Sequence, residues 1–491
     1  MHFFPILAMI AFMKLGNETN EFLEAKRVHF IGIGGIGMSA VARMLLEQGK
    51  IVTGSDGTQS PITDELVSLG AEICIGHKAQ NIGKDVEAVV YTVAIPKDNP
   101  ELKEAVRRNG LLLTYAESLR EISKSKYTVA ISGTHGKTTT TSMIAEIMMD
   151  AKLDPTVIVG SLMKRTQSNF VFGHSKYFVV EACEYKRSFL NLEPSILVIT
   201  NIDADHLDYY KDMKDIQRAF TEMILRVSPG GYIVCNPRDE NVKPVLASAR
   251  AKVIDYTQFQ DERLQLKIPG MHNRENAAAA LAVAHVLEVS TRGAKKTLSG
   301  FEGTWRRFDL KGKTVKGALV YDDYGHHPTE IRATLSGARE MYPEQKIIAV
   351  FQPHLYSRTK EHLEEFGACF ADANEVVLAP IYAARESNDS SVTSAMVAEK
   401  ISLHGQEAKS FDNFSIIKEY ILSHAEKDDV IVMIGAGDIY TLSSELLAQK
   451  EKGKKVEKGE KKKEEISEAV GTENDEKSAK KAEPCEENIS N

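Results

Sequence analysis

Cysteine is scarce and scattered. The five in this 491-residue chain, Cys74, Cys183, Cys235, Cys369 and Cys485, stand singly, with no Cys-x-x-Cys pair. That spacing excludes a disulfide framework and a Cys-rich zinc site, and it points to a reducing, cytoplasmic setting. A basic surplus is also missing: 61 Lys and Arg face 69 Asp and Glu, a net charge of -8. Nucleic acid polymer is therefore excluded as a main partner. No apolar run is long enough for a bilayer. Residues 3–13 fall short of the roughly 20 needed and lack the basic flank and small-residue cleavage site of a signal peptide. We expect no stable membrane insertion, and we read residues 1–24 as a disordered or loosely docked leader, or as the product of an upstream start codon with the working start at Met13.

The composition is that of an ordinary folded protein, 43% apolar and 26% charged, and the length asks for about three domains. Residues 449–491 mix both charge signs with almost nothing apolar and read as a disordered tail. Between the ends, apolar runs alternate with helix-length stretches in three blocks, 25–123, 124–309 and 310–448. The runs are RVHFIGIGG and KIVTGSD; then YTVAISG, YFVVEACEY and SILVITNI; then ALVYDDYG, KIIAVFQP, EVVLAPIY and DVIVMIGAG. This alternation predicts α/β domains with mainly parallel sheets and ligands at the carboxyl ends of the strands. The first and third blocks read as Rossmann-like and the central one as a P-loop-type ATPase domain.

Gly32, Gly34, Gly35 and Gly37, with Ile36 among them, form a glycine-rich turn between strand and helix, and Asp56 follows at the end of the next strand. Such a turn lets a pyrophosphate approach the backbone while the acid bonds a ribose hydroxyl, as in a nicotinamide or flavin enzyme; a tight turn without ligand is the plain alternative. The stretch GTHGKTTTT is a shortened phosphate loop: Gly133, Thr134, His135, Gly136, Lys137, Thr138 and Thr139. Its N–H groups form an anion nest, Lys137 supplies positive charge and the Thr138 hydroxyl suits Mg²⁺. Two phosphate sites argue against a simple dehydrogenase and for an enzyme holding a nucleotide-linked substrate and a nucleoside triphosphate.

Two further stretches follow apolar strands in the central block. EACEYKRSF begins at Glu181, and TNIDADHLDYY carries Asp203, Asp205, His206 and Asp208. Oxygen donors with one imidazole suit Mg²⁺ better than zinc, whereas a solvated acidic turn is the bland reading. In PGMHNRENAAAALAVAHVL, the amides of Asn273 and Asn276 either read an adenine edge or cap the alanine-rich helix.

Taken with FEGTWRRF, DDYGHHPTEI and FQPHLYSRT, these motifs resemble the Mur ligases in order and spacing from about Arg27 to Ala448. Within that family the branch joining L-alanine to UDP-N-acetylmuramate is most similar, with the tripeptide-recycling branch as the near alternative and a nucleotide-sugar or dinucleotide oxidoreductase as the alternative from another class. The resemblance implies that the first glycine-rich turn holds UDP and not NAD. It also implies ATP, Mg²⁺, UDP-N-acetylmuramate and L-alanine as ligands, an acyl phosphate on the path, and a monomer or weak homodimer. It carries ATP phosphates to Lys137 and Arg307, magnesium to Thr138, Glu181 and His206, adenine to Asn276 and ribose to Asp323. His326, His327, His354, Tyr356 and Arg358 are assigned to closure over substrate. Arg306 reads as a surface partner of its neighbour. The family usually has E-A-D-E-S-D-x-S-F where this chain has EACEYKRSF, so Lys186 and Arg187 are candidates to meet substrate charge instead.

Overall fold

The computed structural model describes residues 20–447 except 208, 229 and 385. The expected tail, most of the expected leader and the Asp208 side chain lie outside the described residues. Residues 20–24, expected to belong to the leader, are ordered: Glu21–Glu24 forms a helical turn capped by the Asn20 side chain. Phe22 is buried there, and Lys50 Nζ donates to the carbonyls of Leu23 and Ala25, so an apolar anchor and two hydrogen bonds offset the ordering cost.

Three sheets follow in chain order. The first contains β1 (Arg27–Ile31), β2 (Ile51–Asp56), β3 (Glu72–Ile75), β4 (Ala88–Tyr91) and β5 (Leu111–Thr114), ordered β3-β2-β1-β4-β5. All its pairs are parallel. The second contains β6 (Tyr127–Ser132), β7 (Thr156–Met163), β8 (Ser168–Val171), β9 (Tyr177–Glu181), β10 (Ile196–Ile199), β11 (Tyr232–Cys235) and β12 (Lys252–Asp255). Its order is β12-β11-β10-β6-β9-β7-β8, antiparallel only between β7 and β8. The third contains β13 (Asp309–Lys313), β14 (Leu319–Asp323), β15 (Ile347–Phe351), β16 (Glu375–Leu378), β17 (Glu407–Ser410) and β18 (Val430–Ile434), ordered β13-β14-β18-β15-β16-β17. Only its β13–β14 pair is antiparallel.

The expected α/β class and mainly parallel sheets are therefore present. Central strands such as β10, β15 and β18 are buried at every residue, as sheets covered on both faces require. Edge strands β3 and β17 are each only four residues long and expose three of them, and neither carries a long apolar run, which is why the sequence did not announce them. In the second domain the helix Lys137–Asp150 packs on Met271–Val286, where alanines 277–280 are almost wholly buried and let the two backbones approach closely.

The first domain is fastened to the second by polar bonds. Buried Arg43, on the helix Ile36–Glu47, donates to Asn169 Oδ1 at 2.6 Å and pairs with Glu65 at 2.8 Å. Asn169, on β8, donates in turn to the Ile36 carbonyl. At the next boundary, β7 meets the linker: Trp305 N donates to the Leu162 carbonyl at 2.9 Å, and Ser161 Oγ to the Trp305 carbonyl at 3.0 Å.

Candidate active site

Strands β10, β6 and β9 lie side by side and parallel, so their carboxyl ends deliver Thr200, Gly133 and Glu181 to one edge. Gly133 (φ +127°) and Gly136 (φ +80°) turn the chain into the helix Lys137–Asp150. A Cβ on Gly133 would stand 2.1 Å from Thr200 Oγ1, and one on Gly136 2.4 Å from Asn276 Oδ1, so both positions exclude a side chain. The loop between them is held from the end of β10. Asn201 Oδ1 accepts from His135 N at 2.9 Å, Thr200 Oγ1 donates to the His135 carbonyl at 2.6 Å, and Thr134 Oγ1 accepts from Asp203 N at 2.8 Å. What remains open is the helix start, whose free N–H groups favour an anion.

Lys137 folds back over this loop. Its Nζ donates to the carbonyls of Gly133 (2.7 Å) and Thr134 (2.9 Å) and lies 3.0 Å from Glu184 Oε2. Burial works against the ammonium charge, but the Glu184 carboxylate, with Glu181 beyond it, holds the pKa above the ordinary lysine value. Thr138 Oγ1 donates to Glu181 Oε2 at 3.0 Å, and Gly160 N donates to the same oxygen at 2.8 Å. Thr138 and Glu181 thus converge as a pair of hard oxygen donors, a set that fits Mg²⁺. His206, at φ +58°, stands apart from that pair: its Nε2 is 3.7 Å from Glu184 Oε1 and its ring packs against Tyr185. Thr138 and Glu181 therefore lie together on one side of Lys137 and Glu184, and His206, which the resemblance assigns to a second magnesium, lies on the other. Among the described residues, His135, Asp203 and His327 do bring one ligand atom each within 4.8 Å of one another.

A cavity of about 390 Å³ opens beside the loop, between the second and third domains, lined among others by His135, Thr139, Asn276, Arg307, Asp323 and Glu330. Asn276 is buried and accepts from Thr140 Oγ1 at 3.0 Å, so its amide is fixed in place. The Asp323 carboxylate is also engaged, by Phe308 N (2.8 Å), Gly325 N (2.8 Å) and Thr334 Oγ1 (3.2 Å). Arg307 borders the cavity over the Tyr324 ring. Arg306 is no surface partner: it is 3% exposed, bonds Asp322 at 3.0 Å and the carbonyls of Gly435 and Gly437, and lies against Tyr440 and Tyr324. Its neighbours in space, not in sequence, decide this.

The third domain meets the phosphate loop through side chains. His135 puts Nε2 3.0 Å from Asp203 Oδ2 and Nδ1 3.3 Å from Glu330 Oε1. Both ring nitrogens face carboxylates and both donate, which describes an imidazolium. Burial opposes that charge, yet the bonds to Asp203 and Glu330 prevail and raise its pKa to about 9. Thr329 Oγ1 also donates to Asp203 Oδ2 (3.0 Å), and Arg358 Nη2 donates to Asp205 Oδ1 (3.0 Å) while its other nitrogen reaches His354. His354 stacks on Tyr382, and Tyr356 opens the short helix that carries Arg358. His327 caps the helix Pro328–Met341, with its pKa pushed down to about 4 by burial and by the His135 charge. His326 is likewise depressed, chiefly by burial. Glu330, which bonds into this group from the first turn of that helix, was not singled out in the sequence. Its signal was the capping spacing H-P-T-E, which reads as helix punctuation.

In the first domain, Gly32 takes φ +82° where a Cβ would meet Thr92, and Asp56 Oδ2 accepts from Gly34 N at 2.9 Å. Gly35 precedes the helix that Ile36 opens. Gly37 sits against Tyr115, leaving no room for a Cβ. The Tyr115 hydroxyl is held protonated by burial and by the neighbouring Glu181 charge, so this one ring touches the glycine-rich turn and senses the Glu181 carboxylate. Lys186 and Arg187 both adopt left-handed conformations. Arg187 is committed to Asp215 (3.0 Å) and Glu222 (2.7 Å), and exposed Lys186 lies over the Tyr185 ring, which itself packs on His206.

Three family models match the chain: Mur ligase family, catalytic domain, over residues 27–127; Mur ligase middle domain over 131–263; and Mur ligase, glutamate ligase domain, over 306–437. A UDP-N-acetylmuramate–L-alanine ligase of Clostridium botulinum is 43% identical over 442 residues, 84% of this chain and 96% of the relative. The enzyme of the same name from Clostridium acetobutylicum is 42% identical over 452 residues, 87% of this chain and 98% of the relative. Among solved structures, UDP-N-acetylmuramate-alanine ligase from Thermotoga maritima superposes with a TM-score of 0.73 at 28% identity, covering 87% of this chain and 99% of that one. A murein peptide ligase from Psychrobacter arcticus shares the fold, with a TM-score of 0.63 at 23% identity over 86% of this chain and 98% of its own. With three matching domains in order and more than two fifths identity along nearly the whole of curated relatives, the chain belongs to the Mur ligase family.

Proposed function

We propose that this protein joins L-alanine to the lactyl carboxylate of UDP-N-acetylmuramate with cleavage of ATP, a step of peptidoglycan precursor synthesis in the cytoplasm. The observation that carries the reading is the near full-length identity with a curated alanine ligase, 43% over 96% of the relative. A carboxylate repels a nucleophile and offers no leaving group. Transfer of the ATP γ-phosphoryl to its oxygen releases ADP and removes both obstacles. The alanine nitrogen then attacks the acyl carbon, and the tetrahedral intermediate expels inorganic phosphate.

In this reading the first-domain turn at Gly32, Gly34, Gly35, Ile36 and Gly37, with Asp56, holds the UDP group. Gly133 to Thr139 receives the ATP phosphates, and Lys137 leaves Glu184 to neutralise them. Asn276 and Asp323 flank the adenosine in the interdomain cavity. Arg307 meets the phosphates from the linker, where its charge stabilises the transferring group. Thr138 and Glu181, with His206 near a second position, would hold Mg²⁺, which supplies charge neutralisation at the phosphates. His326, His327, His354, Tyr356 and Arg358 close over the acceptor and shield the acyl phosphate from water. The assay is inorganic phosphate release from ATP with UDP-N-acetylmuramate and each added amino acid. Alanine-dependent release is expected; release only with a tripeptide assigns the recycling reaction, and no release with any acceptor defeats the ligase reading.

A further inference from the structure

Glu330 uses its two oxygens for different purposes. Oε2 accepts from the backbone N–H of His326 (3.0 Å) and of His327 (3.3 Å), closing the start of the helix Pro328–Met341. Oε1 turns the other way, to His135 Nδ1 at 3.3 Å and Arg307 Nη1 at 3.9 Å. One carboxylate, 14% exposed, therefore touches the phosphate loop of the second domain, the linker arginine and the His326–His327 turn of the third. A helix cap needs one neutral acceptor. A buried carboxylate is a costly way to supply it unless cations compensate the charge, and here the second oxygen collects them.

We propose that Glu330 is a positioning residue that registers the third domain on the phosphate loop, acting through His135 and Arg307 and not on any substrate. Removing its charge would leave the helix capped while freeing Arg307 from the side of the cavity that the ATP phosphates enter. His135 would keep only Asp203. The groups that face the Glu330 carboxylate are His135, His326 and Arg307, with Asp203 opposite it across the His135 ring.

The role assigned to Glu330 rests on the ligase reading, so wild-type protein is assayed first for alanine-dependent phosphate release; failure there defeats the reading itself. Glu330→Gln keeps a carbonyl for the two backbone N–H groups but turns an NH2 donor towards His135 and Arg307, so the fold should be retained with a melting temperature lowered by several degrees. Its kcat/KM for ATP should fall about tenfold or more, while KM for UDP-N-acetylmuramate changes less than about twofold. Glu330→Gln combined with Arg307→Lys should lose little beyond Arg307→Lys alone, because the two act as one unit. If Glu330→Gln keeps the wild-type kcat/KM for ATP, Glu330 is only a helix cap; if the losses multiply, or if both substrates are affected equally, it does not act through Arg307; either result overturns the proposal.

Discussion

Lys137 Nζ lies 3.0 Å from Glu184 Oε2, and both side chains are largely buried, at 13% and 3% exposure. The lysine proposed to meet the ATP phosphates is thus already paired. Removing it leaves Glu184 uncompensated, so Lys137→Ala should lose about 3–5 kcal/mol of stability as well as turnover. Lys137→Ala with Glu184→Ala should regain much of the stability and none of the activity. Calorimetric melting and phosphate release measure the two effects separately, and binding of the UDP substrate should survive in both proteins.

Gly133→Ala is expected to be among the most damaging conservative changes in the chain. The new methyl would enter at 2.1 Å from Thr200 Oγ1 on a left-handed backbone, and Thr200 also braces the loop at the His135 carbonyl. A cost of about 1–3 kcal/mol and loss of ATP binding follow, readable by nucleotide fluorescence titration. Wild-type affinity would mean that the loop is built differently.

Stability should depend on pH through His135. Its folded pKa of about 9 is raised above the ordinary 6.5. Its contribution is therefore complete below pH 6.5 and fades as pH rises through 9. His135→Gln lacks this contribution, so the stability gap between wild type and variant should be widest near pH 6 and close towards pH 10. Paired denaturant titrations test this, and a constant gap would show that the imidazolium is not what holds the loop.

The adjacent arginines 306 and 307 should part company. Arg306→Ala strips the partner from buried Asp322 and should cost about 3–5 kcal/mol, with lowered soluble yield. Arg307→Ala should melt near the wild-type temperature yet lose alanine-dependent phosphate release by about a hundredfold or more.

Those two residues also mark what the sequence could reveal. Adjacent arginines are alike in one dimension, and it is the buried Asp322 carboxylate together with the carbonyls of Gly435 and Gly437, some 130 positions away, that makes one of them structural. The phosphate loop was legible because its chemistry is contiguous: glycines, a lysine and hydroxyls must follow one another at a helix start. The parallel core strands were legible because burial on both faces demands unbroken apolar runs. The short, exposed edge strands β3 and β17 were not, since their pairing comes from neighbours and not from their own pattern. Thr200, Asn201 and Glu330 were missed for a similar reason: each acts on a segment 65 to 195 residues distant.

Strand β7 touches three places at once. Its Gly160 N–H holds Glu181, its Ser161 and Leu162 grip Trp305 at the linker, and its hairpin partner β8 carries the Asn169 that clamps the first-domain helix through Ile36 and Arg43. The strand is a shared beam. The same eight-residue backbone therefore ties together the first domain, the Glu181 carboxylate and the linker into the third domain.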